Sequence, residues 1–134
     1  MTRVRKLMRD DMEAYKARAE AVRHAQVYRG AFAISICPGE NIESPTIVGA
    51  QAANELLNIV GIKASFVLTE YNDKIYISSR SIDEINVQII MERMGGGGHL
   101  NMAGTQLVDC TLEEAEAQLK DTLDQMIEEG DIEI

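Results

Sequence analysis

The chain has 134 residues, is 46% hydrophobic and carries a formal charge of −9. That length suits one compact domain with a sizeable core, and a 26% share of charged residues is ordinary for a folded protein, which excludes a disordered chain. No apolar run approaches the roughly 20 residues that cross a bilayer, and the start "MTRVRKLMRD" lacks the apolar segment of a signal peptide, so the expectation is a cytoplasmic domain without direct membrane contact.

Asp10–Arg29 reads as an amphipathic helix, with Met12, Tyr15, Ala19, Val22 and Gln26 at spacings of three and four. Its acidic start and basic end suit the helix dipole. Residues 1–29 hold eight basic and four acidic side chains, the remainder five and eighteen. Such a surface lacks the broad positive footprint that holds long nucleic acid. An anionic ligand therefore needs a local, geometrically specific site.

"AFAISIC", Ala31–Cys37, suits a strand buried on both faces. Ser44-Pro45 places a capping hydroxyl before a proline at the first helical position. The helix then runs through "TIVGAQAANELLNIV" to Gly61, with Val48, Ala52, Leu56 and Ile59 on one stripe. "IKASFVLT" and "NDKIYISS" form a hairpin, supported by Ile75 and Ile77 alternating with Tyr76 and Ser78. A helix over Glu84–Met94 leads into four glycines, and "AGTQLVD" reads as a further strand. Thr111, with Glu113 and Glu114 behind it, opens a last acidic helix to about Glu129, and the tail "DIEI" could add an edge strand.

The predicted order is α-β-α-β-β-α-β-α. It implies an α/β fold, a mixed sheet of four or five strands with helices packed on it, and a right-handed parallel crossover in the first unit. Residues 1–29 read as a linker helix and residues 30–134 as one compact unit. Cys37 and Cys110 lack paired spacing, which argues against a metal site or disulfide framework. Both suit small buried hydrophobes, with a reactive Cys37 thiol as the alternative.

"MGGGGHLNMAGTQL", Met94–Leu107, is the least ordinary stretch. Successive glycines can bring peptide N–H groups into an anion nest. The plainer alternative is a helix cap followed by a flexible connection, for which one glycine would suffice. The run matches neither common phosphate motif. His99 follows directly, able to donate to a phosphate oxygen or stack on a base. His24 suits the polar face of its helix. Arg80 closes a predicted strand among Ser78, Ser79 and Ser81, and its guanidinium suits bidentate phosphate contact. The alternative for Arg80 is a surface pair with Asp83 or Glu84, worth under ~1 kcal/mol.

"RSIDEINVQIIMERMGGGGHLNMAGTQL" resembles the C-terminal DHH-associated domain of the DHH phosphoesterase superfamily, nearest to the GdpP-type cyclic-di-AMP phosphodiesterases. "TRVRKLMRDDM", "AQAANELL" and "GIKASFV" extend the resemblance over essentially the whole chain. The superfamily pattern after the histidine is two variable residues and then Ala-Ala-Gly. Here Met102 stands where the first alanine would. The resemblance implies a two-domain phosphodiesterase whose DHH domain holds two divalent metals, typically manganese. The associated domain closes over the substrate, which carries substrate binding onto Arg80, Gly95, Gly96, Gly97, Gly98 and His99, with Ser79 and Asn101 beside them. The chain has neither Asp-His-His nor Asp-x-Asp. No catalytic residue, cofactor or metal is therefore expected within it, and no hydrolysis by it alone.

The partners implied are a cyclic dinucleotide or short oligonucleotide and the DHH domain of the same parent, which in this family can be membrane-anchored; a homodimer stays open. Two other functions compete with this one. The domain could belong to an oligoribonuclease or single-strand exonuclease, or it could be a non-catalytic interaction domain in which the glycines act only as a hinge.

Overall fold

One mixed sheet of six strands carries helices on both faces. The computed structural model describes residues 2–39, 42–82 and 84–134. In chain order the elements are α1 (Thr2–Arg23), β1 (Gln26–Tyr28), β2 (Phe32–Cys37), α2 (Pro45–Leu56), β3 (Ala64–Tyr71), β4 (Lys74–Ser81), α3 (Val87–Arg93), β5 (Gly97–His99), β6 (Met102–Val108) and α4 (Leu112–Glu129). The strands lie in the order β1-β2-β3-β4-β6-β5. Only β2 and β3 run parallel, joined by the α2 crossover; every other pair is antiparallel. The expected α/β order holds, with two three-residue strands, β1 and β5, added to it.

Strand parity divides the core. Phe32, Ile34, Phe66, Leu68, Ile75 and Ile77 point to one face, where α3 and α4 cover them with Ile90, Met91, Leu119, Leu123 and Met126. Ala33, Cys37 and Val67 point to the other, under α2 and the alanines of α1. In β4 the alternation is unbroken, so Ile75 and Ile77 are buried while Tyr76 and Ser78 stay half-exposed. Asn72 and Asp73 both take positive φ (52° and 61°) and close the β3–β4 hairpin with the turn that matches strand twist.

Several expectations needed correction. The first helix begins at Thr2 and stops at Arg23, and Gln26–Tyr28 pairs with β2 instead of extending it. From Met12 onward its buried side chains are Ala17 and Ala21, while Met12 and Tyr15 are exposed. Small side chains let α1 approach closely enough for the Ser35 hydroxyl to donate to the Ala21 carbonyl, a packing that a search for large apolar residues misses. Ser44 makes no side-chain cap on α2; its backbone carbonyl accepts from Ile47 and Val48. That helix ends at Leu56, leaving Ile59 exposed in the following loop. Glu40 and Asn41, in the expected loop before α2, lie outside the described residues.

The third helix is shorter than expected because Asn86 caps it, accepting from the N–H groups of Gln88 and Ile89. Thr111 and Glu114 do form a reciprocal capping box at α4. The tail forms no strand; Ile132 folds back into the larger core instead. Among the described residues no helix is long and apolar enough to cross a membrane.

Burial pushes the Cys37 thiol up to about 11, because the apolar surroundings disfavour its charged form. At pH 8 about one such thiol in a thousand is a thiolate. Alkylation of the native chain at pH 8 should therefore modify half-buried Cys110 first, with Cys37 at least ~100-fold slower. Raising the pH toward 11 should speed Cys37. Equal rates at pH 8 would show that α1 and α2 do not seal that thiol.

Candidate functional site

The two helical layers do not cover the sheet evenly. On one face α1 lies along the Gln51–Glu55 side of α2, held by Arg18, whose Nη1 donates to Gln51 Oε1 (3.3 Å) and whose Nε pairs with Glu55 (3.1 Å). Together they cover β2 and β3. Toward β6 and β5 the same face emerges from under α2. Ser65, beneath α2, is buried and donates to the Ala53 carbonyl at 2.6 Å.

Directly opposite residues of paired strands project to the same face. Ser65 lies opposite Arg80, Arg80 opposite Met102, and Met102 opposite His99. Arg80, Met102 and His99 therefore form one row across three strands, from half-buried at Arg80 to exposed at His99. The next row is Ser78, Gly104 and Gly97, and the one after it Tyr76 and Gln106. Gly104 and Gly97 put no side chain on this face, so a bare backbone floor lies beside the Arg80–His99 row.

Arg80 is the most conspicuous group of the site. Its Nη1 donates to its neighbour's carbonyl, Ser79 O, at 2.8 Å. Its Nε is buried without any hydrogen-bond partner. Among the described residues it makes no ion pair. Glu84, expected as a partner, pairs with Lys63 at 3.0 Å, and Asp83 lies outside the described residues. Burial pushes the guanidinium below its ordinary value, yet arginine stays charged at any physiological pH. Leaving a buried donor unpaired costs about 1–3 kcal/mol.

The glycine run is not the flexible connection that stood as its plainer alternative. Gly95 (φ 89°) ends α3, and Gly97–His99 form the edge strand β5 against β6. Two of the four glycines are demanded by close approach. A Cβ at Gly96 would collide with the Gly104 carbonyl and lie 2.6 Å from Thr105 Cβ; one at Gly98, where φ is 146°, would sit 2.5 Å from Ala103 Cα. Gly97 faces open space. Most of the run is therefore explained by the packing of a strand, and Gly97 alone is left for another purpose.

Two further residues named from sequence stand apart from this row. Ser79 points to the opposite face, where it is buried and donates to the Ala103 carbonyl at 2.8 Å. Asn101 occupies the β5–β6 turn and donates through Nδ2 to Ser81 O at 3.1 Å, while its own carbonyl accepts from Ser81 N–H at 3.1 Å. Both hold the end of β4 against the hairpin. Ser78, Met102 and Gly104 take their place on the open face. Counting in twos from Arg80 would have found Ser78, but the other two follow only from the register of β6. Among the described residues no group of three or more His, Cys, Asp or Glu side chains could hold a metal ion.

The DHHA1 domain family model matches residues 30–129. The chain is 43% identical over 122 residues to the cyclic-di-AMP phosphodiesterase PdeA of Listeria monocytogenes, covering 90% of this chain and 18% of that protein. It is 39% identical over 128 residues to the cyclic-di-AMP phosphodiesterase GdpP of Geobacillus thermodenitrificans, covering 95% and 19%. It thus spans about a fifth of the length of these curated relatives. An exopolyphosphatase-related protein from Bacteroides fragilis superposes with a TM-score of 0.72 at 23% identity, over 84% of this chain and 34% of that one, a likeness of fold.

Proposed function

The chain belongs to the DHHA1 domain family, and from that membership we propose that it is the substrate-binding domain of a metal-dependent phosphodiesterase opening cyclic-di-AMP to linear pApA. The observation that carries this reading is the Arg80 guanidinium, free of any ion pair among the described residues and with a partnerless Nε, in one row with His99 beside a floor of bare backbone.

The guanidinium fork matches two non-bridging oxygens of a phosphodiester. His99 reaches the same ligand from the edge strand, by hydrogen bond or by stacking. Gly97 and Gly104 let the sugar-phosphate come close to the backbone. In an acidic chain such a local site selects a short ligand over a long polyanion.

The residues described do not fit a two-metal centre. We place the metals, typically manganese, on a DHH domain of the parent chain. This domain's contribution is to hold and orient the substrate. The test is turnover by the parent protein with manganese. The expected result is conversion of cyclic-di-AMP to pApA, at least about tenfold faster than pApA is consumed. The reverse preference would favour an oligoribonuclease. No turnover of either, together with no nucleotide binding by the parent in calorimetry, would favour an interaction domain.

A further inference from the structure

Met102 occupies the middle of the Arg80–His99 row. Its side chain is 51% exposed, and its neighbours around the hairpin end, Leu100 (46%) and Ile82 (40%), are exposed too. Met102 belongs to neither hydrophobic core cluster, so packing does not explain an apolar side chain there. Chemically it is set between two nitrogen-rich groups, a guanidinium and an imidazole.

The row also sets a length. Neighbouring strands lie about 4.8 Å apart, so Arg80 and His99 stand on backbones separated by roughly 10 Å. A single phosphate bridging that gap would leave Met102 beneath it without an apolar partner. A nucleoside phosphate has the right order of parts: an anion for Arg80, then a flat, polarisable ring over the thioether, with its far edge toward His99. Sulfur over an aromatic face is favourable, and methionine adapts its shape to the ring.

We propose that Met102 is the platform on which a nucleobase of the substrate rests, which makes it a specificity-determining residue that separates nucleotides from base-free phosphates. This rests on the reading of Arg80 and His99 as phosphate- and nucleotide-binding, and the test separates the two.

The experiment is a titration of the chain with AMP, ribose 5-phosphate and inorganic phosphate to millimolar concentrations. It is followed by nuclear magnetic resonance of methyl-labelled methionine and of the backbone amides, with Met102 identified by loss of its signal in Met102→Leu. AMP should shift the Met102 methyl upfield through the ring current, in step with the Arg80 and His99 amides. Ribose 5-phosphate should move those amides and leave the methyl in place. Met102→Gln should weaken AMP binding about fivefold, a share of the stacking range seen for bases, and keep ribose 5-phosphate within twofold.

If the amides respond equally to AMP and ribose 5-phosphate while the methyl stays still, the platform is overturned and phosphate binding stands. If no ligand moves the Arg80 or His99 amides, both fall.

Discussion

Replacing Arg80 with methionine in the parent enzyme should cut kcat/KM for cyclic-di-AMP about 10²–10³-fold, the scale seen when one preorganised donor to a reacting anion is removed. The same change should leave the fold as stable as before, or up to about 1 kcal/mol more so. The two signs are opposed for a physical reason. In the free domain the Arg80 Nε is buried and unpaired, so the guanidinium is a burden until a ligand arrives. Methionine keeps the apolar stem against β4 and discards that burden. Arg80→Lys should fall between, since an ammonium keeps the charge and loses the two-pronged geometry. Initial rates and urea melts of the three proteins check this. A kcat/KM within threefold of wild type for Arg80→Met would mean that the guanidinium does not touch the substrate.

Gly96→Ala should cost about 3 kcal/mol or more, because its new methyl collides with the neighbouring strand β6. The obstacles are the Gly104 carbonyl and the Thr105 Cα and Cβ, and Thr105 is itself fixed by donating to the Met94 carbonyl at 3.0 Å. Neither obstacle is the free end of a flexible side chain, so relief requires β5 to separate from β6. Gly97→Ala, one residue on, meets open space and should change stability by less than about 1 kcal/mol, while placing a methyl on the proposed ligand face. Denaturant unfolding of the pair reads the contrast directly. Similar midpoints for the two variants would show that the β5–β6 approach is looser than described.

The order of elements was legible because each long element announced itself by its period. Alternation marked β4, the continuous apolar run marked β2, and Thr111 with Glu114 marked the start of α4. The short strands had no such signal. Gln26–Tyr28 continues a helical sequence, and Gly97–His99 is glycine-rich. Both are strands only because a neighbouring strand offers them hydrogen bonds. Arg80 and His99 were legible by residue type. Their meeting on one face depended on the β4–β6–β5 register, which no local pattern encodes. Parity also parts Ser78 from Ser79, adjacent in sequence and on opposite faces of the sheet.

The rows of the open face come from β4, β6 and β5, all within the uninterrupted stretch 74–108. The opposite wing, α1, α2, β1 and β2, gives no residue to them. On the proposed reading, every residue that meets the ligand comes from some thirty-five consecutive positions, so one short segment would set ligand preference while α1, α2, β1 and β2 support it from outside.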